Sequence, residues 1–128
     1  MINLEIYNEF SSELKDKWLA IEKGFLKNPF NSFYWIIHWY KSVGIKSLKL
    51  NPQIVLIYND NKLSYILPLC IIRRNGVSIL EWIGDIHSDY SSPLIISNFI
   101  DNHTTFNKVW TKILLKLGKF DLINLKRQ

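Results

Sequence analysis

With a single cysteine, this chain can form no internal disulfide. Cys70 sits inside the apolar run Leu67-Pro-Leu-Cys-Ile-Ile, where a buried, inert thiol is expected. A nucleophilic thiol would want polar or cationic neighbours, and this run supplies none. Five glycines and four prolines are too few and too scattered for a linker, and no repeat or low-complexity segment occurs. No apolar stretch approaches the roughly 18 residues of a membrane helix, so no membrane span is expected. The N-terminus, Met1-Ile-Asn-Leu-Glu-Ile-Tyr, lacks the basic and apolar blocks of a signal peptide. Taken together, these absences point to a cytoplasmic protein.

What is present is enough for a core. Of the 128 residues 48% are hydrophobic and 21% charged, the balance of an ordinary globular chain. Aromatic content is high, with five tryptophans. The length fits one domain over residues 1–128 that buries its core without metal or disulfide. Basic residues outnumber acidic ones by 16 to 11, and the net charge of +5 is concentrated in residues 101–128. There Lys108, Lys112 and Lys116 recur every four residues and would form the wet face of a helix. A solvated face is the plainer reading, and a polyanion-binding stripe the sharper one. No nucleic-acid partner is expected.

Periodicity orders the rest. Leu4 to Tyr7 suits a short strand. Ser11-Ser-Glu opens a helix whose Leu14, Trp18, Ile21 and Phe25 make one apolar stripe, with Asn28-Pro29 as its stop. A second helix from Asn31 or Ser32 toward Gly44 is apolar nearly all round, which predicts burial on two sides. His38 within it reads as an interior or boundary histidine, with a ligand or catalytic role as the alternative. Gln53 to Tyr58 and Leu63 to Ile72 form a hairpin around Asn59-Asp-Asn-Lys. Pro68 marks a bulge or an unpaired edge on the second strand. A third strand, Val77 to Ile83, follows Arg73-Arg-Asn-Gly, and Pro93 to Ile96 adds an extended piece. A helix capped by Asn102 or Thr104 carries Phe106, Val109, Trp110, Ile113, Leu114 and Leu117 on one face and ends at Gly118. Phe120 to Leu125 is the last strand. The order β-α-α-β-β-β-(loop)-α-β predicts an α/β (α+β) layered domain with a mostly antiparallel sheet and a final βαβ-like step.

One segment does not read as core. Between Gly84 and Pro93 the chain places Asp85, His87, Ser88, Asp89 and Tyr90 in a short polar loop. Loops held by a rigid scaffold are where chemistry and binding concentrate. Asp85, His87 and Asp89 could ligate a metal, though completing the shell would need Asp101 or His103. A Ser88–His87 hydrolytic pair is disfavoured, because neighbours on an extended chain point apart and no Gly-x-Ser-x-Gly elbow exists. Asp89 could instead close a turn over a core-packed Tyr90. In a substrate-facing loop Asp89 would pair an amine or hydroxyl and Tyr90 would offer a phenol donor. Both of these last readings stay open.

Several short motifs carry a family likeness: Asn28-Pro-Phe-Asn-Ser-Phe-Tyr-Trp with Trp39, Ile66-Leu-Pro-Leu, Ile83-Gly, Ser88-Asp-Tyr and Pro93-Leu. With the element order, they resemble the N-terminal half of GNAT-like acetyltransferases linked to bacterial cellulose biosynthesis. Those are tandem-GNAT relatives of the Fem-type aminoacyltransferases. The resemblance implies an N-acyltransferase that uses acetyl-CoA or another acyl-CoA, or an aminoacyl donor, with an amine acceptor or polysaccharide precursor. It makes Asp89 the candidate general base and Asp85, His87, Ser88, Asp89 and Tyr90 the acceptor side. It also implies a truncation before a second, catalytic GNAT domain that would pack against the last strand. The family's glycine-rich pyrophosphate loop has no counterpart in residues 97–106, so no cofactor is expected on this chain alone. The alternative is a non-enzymatic pseudo-GNAT module that binds a partner chain along its final strand.

Overall fold

The computed structural model describes residues 2–25, 32–42, 50–83, 94–95, 103–117 and 120–124. The chain forms β1 (Ile2–Tyr7), α1 (Ser12–Phe25), α2 (Phe33–Trp39), β2 (Asn51–Asn59) and β3 (Lys62–Arg74). There follow β4 (Val77–Trp82), β5 (Leu94–Ile95), α3 (His103–Lys116) and β6 (Leu122–Asn124). One six-stranded sheet runs in the order β1-β2-β3-β4-β6, with β5 also on β3. The pairs from β1 to β4 are antiparallel, and β6 lies parallel to β4. The fold is α+β, and the step from β4 through α3 to β6 joins parallel neighbours.

Two cores sit on opposite faces of this sheet. Leu14 and Trp18 of α1 and Phe33, Ile36 and Trp39 of α2 pack on Ile54, Leu56, Ile66, Cys70 and Ile72. Val109, Ile113 and Leu117 at α3 pack on Val55, Ile57, Leu67, Leu69, Leu80 and Trp82. Strand residues therefore alternate between the two helical layers, as a pleat buried on both sides requires. Cys70 is fully buried, as its apolar setting predicts.

Local chemistry fixes the ends. Ser11 Oγ accepts from Leu14 N–H at 3.2 Å, and Ser32 Oγ accepts from Trp35 N–H at 3.1 Å, so both hydroxyl caps form. Glu22 of α1 accepts from Phe33 N–H, which sets a carboxylate on the first turn of α2 and joins the two helices. That second helix departs from its expected double burial. Phe33, Ile36 and Trp39 are covered, but Tyr34 and His38 face solvent. His38 is therefore neither an interior nor a boundary residue. Its helix has one sheet to pack on, and the opposite face stays wet.

The two hairpins turn through left-handed backbone. Asp60 and Asn61 have φ of 52° and 66°, and Asn75 and Gly76 have 52° and 79°. Two consecutive positive φ values make the tight turn whose twist matches antiparallel strands. The bulge on β3 is not at Pro68 but at Ser64, where the register steps from Ile57↔Tyr65 to Tyr58↔Leu63. Ser64 is buried, its Oγ donating to Lys62 O at 3.1 Å. The extra residue turns Leu63 onto the same face as its partner Tyr58. Pro68 occupies the other place where a missing donor does no harm. Its carbonyl accepts from Ile83 N–H at 2.9 Å, so its nitrogen faces the side where β3 changes partner from β4 to β5.

The last strand is shorter than expected, with Phe120 ahead of it and Leu125 outside the described residues. A reciprocal clasp holds its start: Asp121 N–H donates to Ser78 O at 2.7 Å, and Ser78 N–H donates to Asp121 Oδ2 at 2.9 Å.

Replacing Gly76 by alanine tests the second hairpin. No atom lies within 4 Å of the added Cβ, so only the left-handed backbone resists it. Stability should fall by about 1 kcal/mol, seen as a lower denaturant midpoint at unchanged slope. An unchanged midpoint would refute the left-handed turn.

Candidate functional site

Asp85, His87, Ser88, Asp89 and Tyr90 lie outside the described residues. The chain on either side of them is defined. Ile83 is bonded to Pro68, and Leu94 pairs with Ile66. β5 therefore continues the line of β4 along β3, with Ile83 at Pro68 and Leu94 opposite Ile66. An apolar strand aims both ends of the polar segment at one place on the sheet.

At that exit the structure adds a residue that sequence reasoning missed. Glu81 is 1% exposed, the only buried acidic side chain among the described residues. It stands across from Cys70, on the sheet face covered by α1 and α2. Arg74 Nη1 reaches its Oε1 at 3.1 Å from a half-exposed position at the far end of the hairpin. Burying a carboxylate is unfavourable unless it is paired, and Arg74 supplies the pairing charge. The next residue, Trp82, buries its Nε1 on the other face with no hydrogen-bond partner among the described residues. The signal in the sequence was a lone acid inside the apolar run Val77-Ser-Ile-Leu-Glu-Trp-Ile, one hairpin away from Arg73-Arg74.

A second polar cluster ties α1 to β1 and β2. Lys17 Nζ donates to Tyr7 Oη at 2.9 Å and to Glu5 Oε1 at 3.0 Å, with Glu13 Oε1 at 3.2 Å. The ammonium also lies 5.5 Å from the Tyr7 ring centroid and 5.8 Å from that of Tyr58. The hydrogen bonds to Tyr7 and Glu5 raise the Lys17 pKa well above its ordinary value. Burial alone would raise the Glu5 carboxyl, but bonds from Tyr58 and Lys17 outweigh it and hold it low. Burial, and then the bond to Glu5, push Tyr58 up to about 12. A lysine so fully engaged is a clamp between layers, not a nucleophile.

The remaining candidates are accounted for. Lys112 Nζ and Lys116 Nζ reach Ile2 O at 3.5 Å and Leu4 O at 3.3 Å, so two members of the basic stripe bind backbone of their own chain. Lys116 also lines an open depression with Ile6, Asn8 and Gln53. Among the described residues, no three His, Cys, Asp or Glu side chains are grouped to hold a metal ion. No described helix is long and apolar enough to cross a membrane. Compared with protein-family models, curated proteins and solved structures, the chain matches none.

Two outcomes follow from this chemistry. Replacing Arg74 by alanine strands the Glu81 charge and should remove about 2–3 kcal/mol. That is less than the roughly 3–5 of a fully buried pair, because Arg74 is partly exposed. An Arg74→Ala/Glu81→Gln double variant should recover part of the loss; no recovery would mean the two groups are not coupled.

The stabilising effect of keeping Tyr58 neutral is complete below its unfolded value near 10 and is lost as pH rises through about 12. For Glu5 the sign is reversed, and its contribution fades as pH falls below the ordinary carboxyl range. Phenolate absorbance should show one tyrosine ionising near 12, and Glu5→Gln should bring that step down. A titration in which every tyrosine ionises near 10 would rule the network out.

Proposed function

We propose that this chain is the N-terminal half of a GNAT-like N-acyltransferase and supplies the acceptor side of its site. The observation that carries the reading is topological. Four antiparallel strands, with two helices between the first and second, lead through a crossover helix to a parallel fifth neighbour. β4 ends at Trp82 beside that parallel step, just ahead of the polar segment in sequence, and Glu81 is buried near its end. In this reading Asp89, with Asp85 and His87, takes the amine or hydroxyl groups of the acceptor. Ser88 and Tyr90 add hydroxyl contacts.

The donor's binding half is assigned elsewhere. A coenzyme A pyrophosphate would want backbone N–H groups freed by glycine, and residues 97–106 contain no glycine. No chemical step through the cofactor is therefore attributed to this chain. A second reading, a partner-binding module without catalysis, draws on the far end of the sheet. There β6 has β4 as its one strand neighbour among the described residues, and Ile123 is 46% exposed.

The test begins with the protein the native cell makes. An intact mass well above 15.2 kDa, with thiol release from acetyl-CoA when an amine acceptor is added, is the expected result. A native mass near 15.2 kDa with no thiol release would leave the partner-binding reading in its place. Calorimetry on residues 1–128 should show no saturable acetyl-CoA binding at low micromolar concentration; such binding would overturn the division of labour.

A further inference from the structure

β1 closes one end of the sheet, and its outward backbone is engaged by an unusual pair of groups. In an edge strand every second residue turns its N–H and C=O away from the sheet. Here the outward residues are Ile2, Leu4 and Ile6, and the first two carbonyls are met by Lys112 and Lys116 of α3. Spaced four residues apart, the two lysines stand one helical turn apart on one flank of α3. Ile2 and Leu4 are two residues apart on β1 and lie on the same side of it. Helix and strand periods thus bring two ammonium groups to two successive outward carbonyls. Lys108, the third member of the stripe, is exposed and outside this arrangement.

We propose that the outer edge of β1 is a strand-pairing surface for a second copy of this chain, held closed by Lys112 and Lys116. The occupant follows from the sequence of the strand. If two copies meet antiparallel about a two-fold axis at Leu4, Leu4 faces its counterpart and Ile2 faces Ile6. Both pairs lie on the α3 face, where these three side chains already border the core. On the opposite face Asn3 meets Glu5, so no like charges are opposed. β1 contains no proline and no bulge to spoil such a ladder, and its register on β2 is continuous from Ile2 to Tyr7. A self-complementary strand of this kind forms a closed, isologous contact. With the lysines in place the approaching strand meets two hydrated ammonium groups where its N–H donors would have to dock.

The test compares variants by sedimentation velocity across a concentration series. Wild type should remain a monomer. Lys112→Ala/Lys116→Ala should shift toward dimer as concentration rises, and Lys112→Gln/Lys116→Gln should do the same. Lys41→Ala/Lys108→Ala removes equal charge from two other exposed positions and should stay monomeric. In the associated variant, amide exchange at Leu4 and Ile6 should slow by about tenfold or more. Four results would overturn the proposal: a wild type that already pairs through β1, opened variants that stay monomeric, equal association of the Lys41/Lys108 control, or protection that appears at Ile123 instead of Leu4.

Discussion

Everything in this molecule depends on β3 being buried on both faces at once. It runs from Lys62 to Arg74, and its side chains feed two separate cores by turns, Ile66, Cys70 and Ile72 to one helical layer and Tyr65, Leu67 and Leu69 to the other. A slip of one residue against β2 would send each of these side chains into the wrong layer. The register is therefore pinned at both ends by two-residue turns. Ser64 takes up the one odd residue between the Asp60-Asn61 turn and the point where alternation must hold. The helices are placed by this alternation: α1 and α2 have one stripe to cover and α3 has the other.

Such a strand also limits where polar groups can go. Glu81 survives beside it because Arg74, on the same face two steps along the hairpin, reaches back to it. Pro68 survives in its middle because its nitrogen faces the gap between two partners. Lys17 survives between layers because two phenols and two carboxylates surround it. Each of these three exceptions is matched by a partner or by a place where none is required, whereas the buried Trp82 Nε1 has no partner among the described residues.

Much of this was legible in the residues. The element order, the two hydroxyl caps, both hairpin turns and the crossover helix follow from periods and turn residues, which act locally. What stayed hidden is what depends on distant parts of the chain. His38 looked interior because its neighbours are apolar, yet solvent access is set by where the sheet ends. Of the two readings of Pro68, a bulge or an unpaired edge, the structure bears out the second, since a missing donor is visible in sequence, while the bulge falls at Ser64, where the register on β2 shifts. Glu81 is not visible as a buried acid in the sequence, since a carboxylate's burial depends on a strand pairing and an arginine seven positions away. The polar run itself, Asp85 to Tyr90, lies outside the described residues, so its chemistry still rests on the types and order of its residues.

The collinearity of β4 and β5 has an evolutionary consequence. Because the chain departs opposite Pro68 and resumes opposite Ile66, the two ends of the intervening segment are separated by only about 7 Å of strand. Doubling the length of a flexible connection between such fixed points changes the closure free energy by only about 0.6 kcal/mol. A change in the number of residues between Ile83 and Leu94 therefore carries a small closure cost, and the flanking strands keep their own pairings on β3. Length there is a quantity that descendants of this sequence could vary while inheriting an unchanged frame.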